Sequence, residues 1–192
     1  MKKQVLVFIF DGYADYESAY ICSELNKEES MYCVKTISFD KEAKISMGGF
    51  KIIPDYSIKD YPRDFAALLL MGGDAWIQKK NNDVKPLVEY ALNHNILVGA
   101  ICGATFFIGE NGYLDNIKHT SNTLDFLKIQ SPHYKGDKNY IEKQAVSDKR
   151  IITANGTAIL EFAKEIMIIL KTKPLNEINK WYEFNKKGFY EV

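Results

Sequence analysis

Short apolar runs alternating with helical periodicities predict an α/β sandwich around a mostly parallel sheet. Three observations carry that prediction. Lys3–Phe10, Phe65–Met71 and Ile96–Ile101 are continuously apolar, as strands buried on both faces require. Asp15–Asn26, Asp83–His94 and Ala158–Lys171 show the one-sided apolar spacing of amphipathic helices. The loops Asp11–Glu17, Gly72–Trp76 and Ile101–Ala104 each follow such a strand, so all three fall at the carboxyl edge of the sheet, where sites in these folds collect.

Taken in order, the first strand is closed by Asp11-Gly12. Tyr16, Ala19, Tyr20, Cys22 and Leu25 then mark the apolar face of a helix. Tyr32–Phe39 reads as a second strand. Ser46–Pro54 reads as a hairpin or crossover turning at Gly48-Gly49. Gly72-Gly73-Asp74 closes the third strand, and Pro86 is tolerable in the first turns of the next helix. The helix after Cys102 breaks near Gly109 or Gly112. Tyr140–Val146 and Arg150–Thr153 flank Ser147-Asp-Lys, which reads as a hairpin turn. Ala158–Lys171 buries Ile159, Phe162, Ile166 and Ile169 or Leu170, and Pro174 follows it. Residues 1–172 are read as one domain. Residues 173–192 form an aromatic-rich tail (Trp181, Tyr182, Phe184, Phe189, Tyr190) packing on the same domain, with a short helix; it could cover a pocket, line a dimer interface or simply pack on the core.

Composition excludes several classes. The 25 acidic and 25 basic residues balance, so no bulk field draws the chain to nucleic acid or to an anionic membrane. The first apolar run is too short for a signal peptide, and no run reaches membrane-spanning length; the expected compartment is the cytoplasm. Cys22, Cys33 and Cys102 lack metal or disulfide spacing, and neither a P-loop nor a dinucleotide fingerprint is present. No cofactor and no metal are expected.

Cys102, between a strand and a helix, has two readings: a thiolate of depressed pKa at the helix start, or a small buried residue. Glu17 is either a helix-dipole partner or a protonated carboxyl that meets the thiolate. Gly72-Gly73 is a strand-ending turn whose Gly73 amide could join the amide after the cysteine in an oxyanion hole. His119 is either a base for Cys102 or an ordinary loop histidine. His94 ends a helix and reads as structural, His133 as a possible pocket residue, and Cys22 and Cys33 as core.

The opening strand with Asp-Gly and Tyr-Glu, then LLLMGGD, AICGAT, GYLDNIKHTSN and TANGTAILEFAKEI, together resemble the ThiJ/PfpI superfamily. This group is related to class I glutamine amidotransferases and includes the Parkinson-linked protein deglycase. The resemblance spans Val5 to Leu170 with its motifs in order. It implies a flavodoxin-like, three-layer sandwich of the amidotransferase type, and a homodimer. It also implies a reactive, oxidisable Cys102, a protonated Glu17 beside it, backbone amides from Gly73 and Gly103, and His119 near the cysteine. Two departures narrow the activity. Protease-like branches carry histidine directly after the cysteine, where this chain has Gly103. Amidotransferases carry a late His-x-Glu, where this chain has Asn155-Gly-Thr-Ala158. Peptidase and glutaminase activity are therefore not expected. The expected function is cysteine-dependent chemistry on small reactive carbonyls in stress protection. The alternatives are a non-catalytic redox sensor and an amidotransferase-like hydrolase of another small molecule.

Overall fold

The computed structural model describes residues 2–189; Tyr190 of the aromatic tail lies outside them. The strands are β1 (Lys3–Phe8), β2 (Tyr32–Ser38), β3 (Lys44–Ile45), β4 (Lys51–Ile52), β5 (Tyr56–Ser57), β6 (Ala67–Leu70), β7 (Leu97–Ile101), β8 (Ala145–Asp148) and β9 (Ile151–Ala154). The helices are α1 (Ala19–Leu25), α2 (Lys85–Asn93), α3 (Ala104–Glu110), α4 (Leu124–Gln130), α5 (Ile159–Leu170) and α6 (Leu175–Lys187). Seven strands form one sheet in the order β5-β2-β1-β6-β7-β9-β8, parallel throughout except for β8, which runs antiparallel to β9.

The unbroken apolar runs follow from this topology. Val5, Leu6, Val7 and Phe8 of β1 are buried whichever face they point to, as are all four residues of β6 and the apolar residues of β7. Helices α1 and α5 pack together with α6 against α5, while α2 and α3 pack on β7 with α4 behind α3. The sheet thus lies between two helical layers, the flavodoxin-like sandwich. The Tyr32 hydroxyl donates to the Leu170 carbonyl at 2.7 Å, tying β2 to the end of α5. Among the described residues, no helix is long and apolar enough to cross a membrane.

Some boundaries differ from the sequence reading, each for a local reason. The first helix opens as a 3-10 turn over Asp15–Ser18 before α1 begins. The β8–β9 turn is centred on Lys149, with φ +50°, because Ser147 and Asp148 pair with Ile152 and Ile151 in the ladder. Residues from Tyr140 to Gln144 are not a strand; Tyr140 makes one isolated bridge to His119. Helix α4 and the two-residue β5 were not read from the sequence, although Thr123 caps α4 by accepting from the Phe126 amide at 3.1 Å. Helix α6 buries Ile178 and Tyr182, whose hydroxyl donates to Glu161 Oε1 at 2.7 Å, and Trp181 meets Tyr20 edge-on.

The β3–β4 hairpin serves the carboxyl edge. Its Ile45 carbonyl accepts from Gly12 N at 2.7 Å, its Met47 N donates to Tyr13 O at 2.8 Å, and its Gly48 N donates to Asp15 Oδ1 at 2.8 Å. With the Ile45 amide also donating to Asp11 Oδ1 at 2.9 Å, the loop leading into Glu17 is fixed to the hairpin by four hydrogen bonds.

The centre of the sheet is filled to the last carbon. A Cβ on Gly99 would stand 2.9 Å from both Leu69 Cδ2 and Phe162 Cζ. Gly99→Ala is expected to lower stability by about 1–3 kcal/mol through overpacking. Urea denaturation should show a lower midpoint with an unchanged slope; an unchanged midpoint would mean that Phe162 can move aside.

Candidate functional site

At the end of β7 the chain turns sharply, and Cys102 takes φ +56°. A side-chain-bearing residue in that left-handed region costs on the order of 1–3 kcal/mol and persists only where neighbours enforce it. Here the enforcement is local. Cys102 N donates to the Ala154 carbonyl at 2.9 Å, and the Thr105 hydroxyl donates to the Cys102 carbonyl at 2.6 Å. Cys102 is half-buried at a strand–turn–helix elbow.

Glu17 comes to it from the 3-10 turn. Its side chain faces inward, and the residue is 1% exposed. Gly72 N donates to Oε2 at 2.5 Å. Oε1 has no nitrogen or oxygen partner among the described residues, and the Cys102 thiol lies against the carboxyl. The closeness depends on Gly72: a Cβ there would lie 2.7 Å from Cys102 Cβ and 2.8 Å from each Glu17 oxygen. Burial pushes the Glu17 carboxyl up to about 7, offset only in part by the Gly72 amide and the Cys102 thiol.

The thiol does not move the way its position at a helix start suggests. Burial raises the Cys102 pKa, and the Glu17 charge raises it further; hydrogen bonds from Asn122 and from the Gly103 amide pull it down but do not prevail. This corrects the expectation of a depressed thiol pKa. Each group acts on the other, and with Glu17 at about 7 the carboxyl is the first of the two to lose its proton as pH rises.

Asn122 is the residue that sequence reasoning missed. Its Nδ2 lies 3.6 Å from Cys102 Sγ, while its Oδ1 accepts from Gly156 N at 2.8 Å. Because a backbone N–H only donates, Gly156 fixes which end of the amide faces the sulfur. Gly156 is itself close: a Cβ there would sit 2.9 Å from Sγ. The available signal was that Asn122 ends the same segment, Lys118–Asn122, in which His119 drew attention.

His119 is engaged elsewhere. Its Nδ1 meets the Ile117 carbonyl at 2.8 Å, so that nitrogen carries the proton; its Nε2 therefore accepts from the Tyr134 hydroxyl at 2.6 Å. Burial lowers its pKa, and it makes no hydrogen bond to Cys102 among the described residues. Its role is to lock the segment that delivers Asn122: His119 N donates to Asn139 O, and its carbonyl accepts from Ile141 N. Gly73 and Gly103 adjoin, since a Cβ on Gly103 would lie 3.0 Å from Gly73 O. The Gly73 carbonyl faces that side and accepts from Trp76 N, while the Gly103 amide faces the sulfur.

The other candidates lie apart from this cluster. His133 pairs with Glu110 at the surface, and His94 stacks on Tyr90. Burial pushes the Cys22 thiol up to about 11. Among the described residues no three His, Cys, Asp or Glu side chains gather to hold a metal ion.

Comparison with known proteins gives a consistent result. The sequence model of the DJ-1/PfpI family matches residues 3–168. A Bacillus subtilis protein named uncharacterized protease YdeA is 40% identical over 191 residues, covering 98% of this chain and 93% of its own length. The crystal structure of a ThiJ/PfpI family protein from Bacillus anthracis superposes with a TM-score of 0.90 at 36% identity, covering 97% of this chain and 91% of that one. A DJ-1 superfamily protein from Agrobacterium tumefaciens gives 0.88 at 28% identity, covering 96% and 98%.

The raised Glu17 pKa sets a pH dependence of stability. The folded value of about 7 exceeds the ordinary 4.5, so the folded state holds this proton more tightly than the unfolded chain. The contribution is complete below the unfolded value and lost as pH rises through the folded one, amounting to on the order of 3 kcal/mol. Glu17→Gln should remove that slope. Urea denaturation of both proteins across this window should show the wild type losing ground to the variant as pH rises; parallel curves would mean that Glu17 is not protonated in the native state.

Proposed function

The chain belongs to the DJ-1/PfpI family, and on that premise we propose that Cys102 is a nucleophile toward small reactive carbonyl compounds, as in a glyoxalase or deglycase serving stress protection. The observation that carries this reading is the buried Glu17 carboxyl against the thiol, with its pKa raised to about 7. A general acid–base works best when its pKa lies near the operating pH.

With an α-oxoaldehyde such as methylglyoxal, the sulfur attacks the aldehyde carbon. An S–C bond forms, the thiol proton passes to Glu17, and Glu17 returns it to the carbonyl oxygen, giving a hemithioacetal. Glu17, again ionised, takes the hydrogen from that carbon and delivers it to the neighbouring carbonyl carbon, while the hemithioacetal hydroxyl loses its proton to the neighbouring oxygen, leaving the thioester of a 2-hydroxy acid. Water then releases the 2-hydroxy acid and restores the thiol. The Gly103 amide, which faces the sulfur, is the donor to the developing oxyanion.

Peptide hydrolysis is less well supported, although the Bacillus subtilis relative carries the name of an uncharacterized protease. In cysteine–histidine pairs an imidazole beside the sulfur protonates the leaving amine. Here Gly103 follows the cysteine, and both His119 nitrogens are hydrogen-bonded elsewhere. Asn122 donates to the sulfur but cannot take a proton from it.

Two measurements test this reading. Cys102→Ser should abolish turnover of methylglyoxal while leaving the fold intact by circular dichroism; equal turnover by both proteins would sink it. Alkylation of Cys102 as a function of pH should rise in two steps in the wild type, because the pair loses its first proton from either partner. In Glu17→Gln it should rise in one. A single step in the wild type would show that the groups are not coupled.

A further inference from the structure

Asn122 belongs to two environments at once. Its amide meets the Cys102 sulfur, and it also lines an open groove of about 740 Å³ beside the elbow. Ser121, Tyr140, Gln144 and Asn155 line the same groove. Pockets of roughly 300–1,000 Å³ accommodate ligands of drug size, far larger than a three-carbon carbonyl. Asn122 is the link between the elbow and this groove, whose space exceeds what the smallest reactive carbonyl fills.

The chemistry of the lining says what fits there. Ser121 is buried, and Asn122, Tyr140 and Asn155 are half-buried. Each retains some capacity or holds a neighbour that does. The Tyr140 hydroxyl makes one long contact, 3.4 Å, to the Ser121 carbonyl. Asn155 uses one amide hydrogen on Gln144 Oε1, and Asn122 one on the sulfur. A side-chain amide has two N–H hydrogens, so one on each asparagine and the phenolic oxygen remain for a ligand. The charged residues of the groove, Asp125, Glu142 and Lys143, are all exposed. Water and salt screen charges in that position, so the neutral floor decides the selection. Apolar lining is confined to Leu124 and the Tyr140 ring.

We propose that this groove is the subsite for the hydroxylated chain of an open-chain, sugar-type carbonyl compound, with its aldehyde end at Cys102 and its hydroxyls held by Asn122, Tyr140 and Asn155. The proposal rests on the carbonyl chemistry assigned to Cys102 and names its substrate class. The S–C bond forms at the aldehyde carbon as the S–H bond breaks. The proton reaches the aldehyde oxygen by way of Glu17, and the hemithioacetal needs no further reactant.

Sorbitol tests the subsite alone, because it carries the hydroxyl chain without a carbonyl. Alkylation of Cys102 by iodoacetamide, followed by mass spectrometry of the intact protein, should slow several-fold and saturably as sorbitol is added. Ethylene glycol at equal concentration should give no protection. Tyr140→Phe should weaken the protection, and the double variant Glu142→Gln, Lys143→Gln should keep it. No protection by sorbitol, equal protection by ethylene glycol, or stronger protection by free lysine would overturn the proposal. If sorbitol fails while Cys102→Ser still abolishes methylglyoxal turnover, the subsite falls and the carbonyl reading stands. If the serine variant keeps its turnover, the carbonyl reading falls whatever sorbitol does.

Discussion

The contact between the Glu17 carboxyl and the Cys102 thiol is the constraint around which the carboxyl edge of this sheet is arranged. A carboxyl that is 1% exposed, with one oxygen on the Gly72 amide and the other meeting no nitrogen or oxygen among the described residues, is expensive to ionise, so it holds its proton up to about pH 7. That proton is what the sulfur can exchange. To bring the two together the fold uses three separate devices: the hairpin that fixes the Asp11–Asp15 loop, the 3-10 turn that points Glu17 inward, and the left-handed elbow that points Cys102 outward. None of them is near the others in sequence. Parallel strand order places them side by side.

Much of this could be read from the residues, and the reason is physical. Strands buried on both faces must be apolar without interruption, so β1, β6 and β7 announce themselves, and whatever follows each must lie at one edge. Glu17, Gly73 and Cys102 follow β1, β6 and β7 and fall at that edge for this reason. The rest depends on interactions no local pattern encodes. Nothing in Lys118–Asn122 says which side chain turns to the sulfur. The backbone bridge between His119 and Tyr140 decides it, sending the imidazole into the Tyr134 hydroxyl and leaving Asn122 at the thiol. The direction of the Cys102 pKa was equally hidden, because it is a balance of burial and carboxylate charge against two hydrogen-bond donors. Short elements such as β5 and α4 carry too few residues to show a period.

With an asparagine at the sulfur rather than an imidazole, Glu17 is the titratable side chain that meets the thiol. An amide can stabilise a thiolate by donating to it, but it offers no second basic site. The elbow's backbone strain is borne by a scaffold whose central strands are fully buried, so the site can hold an unfavourable φ without loosening. The stiffness of the sheet and the strain of the turn are thus one property seen at two places.

The bare α-carbons around the sulfur have a consequence for how such a protein tolerates change. Positions 72, 103 and 156 each leave a space that a single methyl group would fill, at 2.7 Å from Cys102 Cβ, 3.0 Å from the Gly73 carbonyl and 2.9 Å from Sγ respectively. A survey that trims side chains one by one would pass over all three, since there is nothing to trim. The outline of the space around the sulfur is drawn by atoms the chain does not have, and its most vulnerable points are those where evolution or an experimenter can only add.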